Sequence, residues 1–144
     1  MIQLRHTGLY VKDLERMEEF YRVVFKMHTI CKNVEQSDDL IHDLLRCHGT
    51  VRLSKLITEQ GKQSGFDDML ELLQLSEPLK TEPQRKICDN GVMHLGFGVP
   101  DIEETVAAIL AYGGQKFTEI HDMSNGRKCC FCRDPEGNWL EIIQ

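Results

Sequence analysis

Residues 6–15 read HTGLYVKDLE and residues 94–103 read HLGFGVPDIE. His, Gly, Val, Asp and Glu recur at the same steps, with His94 standing 88 residues after His6. A second echo lies downstream, where Met69-Leu70-Glu71-Leu72-Leu73 resembles Trp139-Leu140-Glu141-Ile142-Ile143. Each half of the chain thus begins with a His strand and ends with a Glu strand. A repeat that duplicates a His and a Glu, and not only apolar residues, points to a metal site built between two related modules.

Alternation with period two decides which side chains share a face. His6 lies with Leu4, Gly8 and Tyr10, whereas Leu9 and Val11 point the other way, toward a following helix. His94 lies with Gly96 and Gly98, opposite Leu95, Phe97 and Val99. Each His therefore turns from the apolar side and has a Gly two residues on, which removes a side chain and opens room beside it. Glu71 shares a face with Met69 and Leu73, and Glu141 with Trp139 and Ile143. An ionised Glu inside MLELL or WLEII is costly to bury unless it is paired or metal-bound. Taken singly, either Glu could face water on a half-exposed strand. The repeat and the paired histidines favour a mixed nitrogen and oxygen site, which Zn, Ni, Co, Mn and Fe all accept.

Outward from these strands, Asp13 offers a helix N-cap, and Leu14, Met17, Tyr21, Val24 and Phe25 recur at helical spacing. Asp101 with Glu104 forms a capping-box pattern, Ile102, Val106, Ile109 and Leu110 make an apolar stripe, and Gly113-Gly114 ends it. Three extended stretches follow each helix: about 28–36, 40–56 and 67–75 in the first half, and about 115–121, 127–133 and 138–143 in the second. Within the first half LIHDLL reads equally as a short helix. Asp134-Pro135-Glu136-Gly137 fits a type I turn. The segment from Ser76 to Asn90, with Pro78 and Pro83, links the modules. The expected fold is α+β: two β-α-β-β-β modules, about 1–75 and 91–144, forming a curled mixed sheet cup in one domain over residues 1–144.

At 144 residues the chain is one compact unit or two small modules sharing a core. Hydrophobic content of 41% and charged content of 28% are those of an ordinary soluble globular protein. The net charge of −6, with no basic run, argues against nucleic acid. No apolar stretch approaches a membrane span, and no secretory signal is visible, so a cytoplasmic protein is expected. Six cysteines, Cys31, Cys47, Cys88, Cys129, Cys130 and Cys132, lack regular spacing; Cys129, Cys130 and Cys132 crowd one expected strand, where neighbours point to opposite faces, and all six read as reduced, space-filling thiols. His28, His42, His48 and His121 have no counterpart in the repeat and read as surface or hydrogen-bonded histidines. Trp139 and Tyr10 either line the cup or belong to the core. Arg127 reads as a solvated charge, with an anionic substrate group as its alternative partner.

HTGLYVKDLERMEEFY at 6–21, HLGFGVPDIEETV at 94–106 and RDPEGNWLEI at 133–142 together resemble the vicinal oxygen chelate superfamily, which includes glyoxalase I, methylmalonyl-CoA epimerase, extradiol dioxygenases and the fosfomycin and bleomycin resistance proteins. The resemblance covers nearly the whole chain. It implies paired β-α-β-β-β modules around one divalent metal, with ligands that fall on His6, Glu71, His94 and Glu141. That set looks most like glyoxalase I. Zinc or nickel is the foremost expectation for the ion, with cobalt, manganese and iron as alternatives. The implied activity is a metal-dependent glyoxalase-like isomerase or lyase acting on a small substrate with vicinal oxygens through an enediolate. Glu141 is the favoured base and Glu71 the second candidate, and a homodimer is the implied assembly. Tyr10 and Leu75 stand where glutathione-using relatives place an Arg and an Asn, so glutathione dependence is not expected. ELLQLSEP at 71–78 is similar to the epimerase, which supplies one alternative. A small-molecule binding or resistance protein without turnover is the other.

Overall fold

The computed structural model describes residues 2–45, 49–65, 67–77, 86–88, 90–91 and 94–144. Pro78, Pro83, Cys47 and His48, named above, lie outside the described residues. The chain divides into two units, Met1–Thr81 and Glu82–Gln144.

The first unit runs β1 (His6–Tyr10), α1 (Leu14–Val24), β2 (His28–Gln36), α2 (Asp39–Leu45), β3 (Val51–Ile57), α3 (Glu59–Gln63) and β4 (Met69–Leu75). Its sheet has the order β1-β4-β3-β2, with β1 and β4 parallel and the other pairs antiparallel. Asp13 caps α1 by accepting the Arg16 N–H at 3.0 Å. The helix buries Leu14, Met17, Phe20, Tyr21 and Val24. Those side chains oppose the apolar face of the sheet, where Leu56, Leu70 and Leu72 are buried. Phe20 and Tyr21 meet edge to face at 5.2 Å. Glu18 is also buried. Its carboxylate accepts the Thr29 hydroxyl at 2.9 Å and has Lys32 Nζ at 3.7 Å, which offsets its desolvation.

In the first unit two stretches differ from the extended or connecting structure expected of them. The stretch expected to extend over 40–56 divides into helix α2 and strand β3. Asp38 accepts the Ile41 N–H at 3.0 Å, so a side-chain cap settles LIHDLL as helix. The polar connector after β3 holds helix α3, capped by Thr58, whose oxygen accepts the Gly61 N–H at 3.0 Å. Asp68 in turn accepts the Thr58 hydroxyl.

The second unit runs β5 (His94–Gly98), α4 (Ile102–Ala111), β6 (Gln115–Lys116), β7 (His121–Asp122), β8 (Lys128–Arg133) and β9 (Trp139–Ile143). Its sheet has the order β5-β9-β8-β6, with β7 also on β8. As in the first unit, the His strand and the Glu strand are parallel neighbours. Asp101 accepts the Glu104 N–H at 2.9 Å. After α4 the chain turns through Gly113 at φ +89°. Gly114 must stay side-chain-free, because a Cβ there would sit 2.6 Å from the Arg133 carbonyl oxygen. The expected strand over 115–121 is broken: Phe117 and Thr118 N–H both donate to the Phe131 carbonyl, at 2.9 and 3.1 Å, which is a bulge. The turn at 134–137 closes with Gly137 N–H donating to Asp134 O at 3.0 Å. The buried Asp134 carboxylate ties the turn down by accepting Glu136 N, Asn138 N and Asn138 Nδ2.

The two modules also share a device that the repeat did not advertise. Gln74 Oε1 accepts the Leu14 N–H at 3.0 Å, and Gln144 Oε1 accepts the Ile102 N–H at 2.8 Å. In each unit a glutamine on or just after the Glu strand thus satisfies a free N–H in the first turn of the helix.

Cys31, Cys88, Cys129, Cys130 and Cys132 are free thiols. Cys130 and Cys132 lie buried on the helix side of β8, 4.0 Å apart, while Cys129 faces the other way. Burial pushes the Cys132 thiol up to about 12 from an ordinary value of 9.0. Such a thiol stays protonated in the folded chain above the pH at which the unfolded chain ionises. Its contribution to stability is therefore present below about pH 9 and is lost as pH rises toward about 12. Iodoacetamide at pH 8 is expected to spare Cys130 and Cys132 in folded protein and to modify both in urea, as read by mass spectrometry of peptides. Equal labelling of folded and unfolded protein would contradict this burial.

Candidate metal centre

In both units the ladder holds the same register. Gly8 pairs with Glu71 and Gly96 with Glu141. The His lies two residues before that Gly, on the same face, and so reaches diagonally to the carboxylate. His6 Nε2 is 3.1 Å from Glu71 Oε2, and His94 Nε2 is 3.3 Å from Glu141 Oε2. A Cβ on Gly96 would sit 3.7 Å from Glu141 Oε2, an ordinary contact distance, so glycine leaves the space beside the carboxylate open.

The donor set fits a divalent cation. Ligands at about 2.1 Å from one ion are about 3.0 Å apart at a right angle and about 3.4 Å apart at the tetrahedral angle. The two nitrogen–oxygen separations fall between those limits, so each pair can share an ion without rearranging. Each unit supplies two donors. No group of three or more His, Cys, Asp or Glu side chains that could hold a metal is gathered among the described residues.

The surroundings of the two carboxylates differ. The Glu71 side chain is 12% exposed and that of Glu141 is 27% exposed. Lys55 stands opposite Glu71 in the ladder, whereas Phe131 stands opposite Glu141. The Phe131 ring meets His94 edge to face at 5.6 Å and orients the imidazole. The Cys129 thiol donates to Glu141 Oε1 at 3.4 Å. Burial, together with the bond to Glu141, pushes Cys129 up to about 11, so it remains a donor at neutral pH. Glu141 is therefore held at Oε1 by a thiol and presents Oε2 to His94.

Beyond the pairs, the Glu141 face carries Trp139, Ile143, Phe131 and Arg133. Trp139 is 5% exposed, beneath Phe117 and Arg133. Tyr10 is exposed on the His6 face, and Leu75 lies four residues beyond Glu71 on the Glu71 face. The remaining histidines are placed as expected for ordinary ones: His28 pairs with Glu59 at 2.9 Å, His42 contacts the Ser37 hydroxyl at 3.2 Å, and His121 is exposed on β7. Arg127 lies in the exposed turn before β8, its backbone N–H on Asn125 Oδ1 at 3.0 Å. Sequence reasoning gave Lys55, Phe131 and Arg133 no role at the site and read Cys129 as a space-filling thiol. They follow from strand pairing, and period-two alternation across the antiparallel partners of Glu71 and Glu141 was the available signal.

The family model described as the glyoxalase/bleomycin resistance protein/dioxygenase superfamily matches residues 3–142. A lactoylglutathione lyase of Schizosaccharomyces pombe is 28% identical over 148 aligned positions, covering 98% of this chain and 47% of that protein. The chain therefore spans about half the length of this curated relative. Among solved structures, a glyoxalase family protein from Bacillus cereus aligns with a TM-score of 0.87 at 15% identity, covering 99% of this chain and 93% of that one. A glyoxalase I variant from Zea mays aligns with a TM-score of 0.65 at 19% identity, covering 99% of this chain and 45% of that one. No helix among the described residues is long and apolar enough to cross a membrane.

Proposed function

Since the chain belongs to the glyoxalase/bleomycin resistance protein/dioxygenase superfamily, we propose that it is a metal-dependent glyoxalase-like isomerase or lyase acting on a small substrate with two adjacent oxygens. One divalent cation, zinc or nickel foremost, is held by His6, Glu71, His94 and Glu141. The observation that carries this reading is the pair of His–Glu contacts at 3.1 and 3.3 Å, built at the same ladder register in both units. Because each unit supplies half of the donor set, four-ligand binding brings a first-unit pair and a second-unit pair to one ion, within a chain or between the two chains of a homodimer.

A bound cation supplies Lewis-acid polarisation of the two substrate oxygens. Glu141 would take the proton from the carbon next to the substrate carbonyl through Oε2 once that oxygen is released from the cation. Cys129 keeps Oε1 engaged during the transfer, and Phe131, Trp139 and Ile143 share the face of the carboxylate. Glu71, more enclosed and opposite Lys55 in the ladder, serves as a ligand. The epimerase reading takes an acyl thioester as substrate and draws on ELLQLSEP at 71–78, and the presence of all four donor residues favours either enzyme over a binding protein without turnover.

Metal analysis of protein reconstituted with Zn or Ni is expected to give about one ion per chain, falling severalfold in His6→Ala and in His94→Ala. Retention of metal in either variant would overturn the four-ligand set. Mixing a His6→Ala/Glu71→Ala chain with a His94→Ala/Glu141→Ala chain restores metal only if sites are shared between chains. Deuterium exchange at the carbon next to the carbonyl, tested on α-hydroxycarbonyl compounds and on acyl-CoA thioesters, then separates the isomerase, the epimerase and simple binding.

A further inference from the structure

We infer that Arg133 is an oxyanion-binding residue beside Glu141, so that the substrate carries a carboxylate or phosphate group in addition to its two adjacent oxygens. The inference rests on the reading of His94 and Glu141 given above and names the substrate class that reading left open.

Arg133 ends β8 and pairs with Trp139 in the ladder, two residues from Glu141 and on its face. Its guanidinium carbon lies 4.1 Å from the Trp139 ring centroid and 5.5 Å from that of Phe117. The two rings meet edge to face at 4.6 Å and form a corner around the cation. The bulge at Phe131 O is what turns Phe117 into that corner. Arg133 Nε is buried and has no hydrogen-bond partner among the described residues. None of the ion pairs among the described residues involves Arg133; nearby Lys116, by contrast, is bound to Glu119 at 2.6 Å.

An arginine kept for structure spends its five N–H donors on carbonyls or carboxylates. This one is positioned by aromatic faces, and its donors are uncommitted. With Trp139 and Phe117 covering two sides of the guanidinium, the terminal N–H groups supply the fork that matches a carboxylate or phosphate. Two residues of strand separate Arg133 from the Glu141 level, roughly 6–7 Å. That span suits a small substrate whose reacting carbon and anionic group are a few bonds apart. Arg127, the arginine the sequence suggested, lies in an exposed turn and is not built in this way.

Trp139 is the one tryptophan of the chain and touches Arg133, so its fluorescence reports on the cation directly. The probe ions are inorganic phosphate and acetate, each titrated into the metal-free full chain against chloride at constant ionic strength. A saturable change with at least one oxyanion and none with chloride is expected. Response to acetate alone assigns a carboxylate, and response to phosphate alone a phosphate. In Arg133→Met the response is weakened about tenfold or more, while Arg133→Lys keeps part of it. Absence of any response in the native chain, or equal titration of Arg133→Met and native protein, overturns the inference. Should Arg133→Met fail to fold by circular dichroism, the NMR resonance of the Arg133 Nε–H in native protein decides: a shift on anion addition supports the inference and an unmoved signal overturns it. Because the titrations use no metal, their failure leaves the metal centre standing. A metal-binding failure, in turn, leaves the anion response intact.

Discussion

A Glu141→Gln variant is expected to keep its metal and to lose proton abstraction by about 10²-fold or more. Glutamine preserves the length of the side chain, and its carbonyl oxygen can still accept the Cys129 thiol or face His94. What it lacks is a basic oxygen. The comparison that gives the result meaning is Glu71→Gln. Glu71 is the more enclosed carboxylate and stands across from Lys55, so its substitution should lower metal affinity more than the rate of the loaded enzyme. Rates of deuterium exchange measured at saturating metal separate the two. Unchanged exchange in metal-loaded Glu141→Gln would remove Glu141 from the role of base and leave Glu71 as the candidate.

Turnover of methylglyoxal with glutathione is expected to be poor, lower by about 10²-fold or more than that of an efficient enzyme. The S. pombe relative bears the name lactoylglutathione lyase, yet at positions 10 and 75 this chain has Tyr10 and Leu75. Both lie on the faces that carry His6 and Glu71. A carboxylate of glutathione set against Leu75 would shed its water and gain no donor, a loss of a few kcal/mol. Steady-state kinetics of metal-loaded protein test this. A kcat/KM of about 10⁶ M⁻¹s⁻¹ or higher would show the prediction wrong, and would mean that residues other than those at 10 and 75 hold the tripeptide.

The repeat made the His and Glu strands legible, because period-two alternation is a local property and each Gly two residues after a His marks the open face. Register was not legible. That Gly8 meets Glu71 and Gly96 meets Glu141 depends on strands far apart in sequence, and no pattern inside either strand encodes it. Helix α3 was hidden for another reason. Residues 60–65 are polar and Gly-containing with no apolar stripe, and the Thr58 cap with the Asp68 carboxylate that receives its hydroxyl holds the segment helical. The break between β6 and β7 escaped notice because it arises from one carbonyl, Phe131 O, accepting two N–H groups. The same bulge places Phe117 on Trp139, so the Arg133 corner was invisible to a reading that treated 115–121 as one strand.

Glu71 follows His6 by 65 positions, whereas Glu141 follows His94 by only 47. The first unit accommodates its extra length in α2 and α3, and neither helix interrupts the parallel pairing of β1 with β4. The length between the two strands that carry the donors thus differs between the units while their register is the same. A lineage can gain or shed whole helices in that stretch, and with them reshape what the chain accepts, without having to reinvent the pair of side chains on which the chemistry depends.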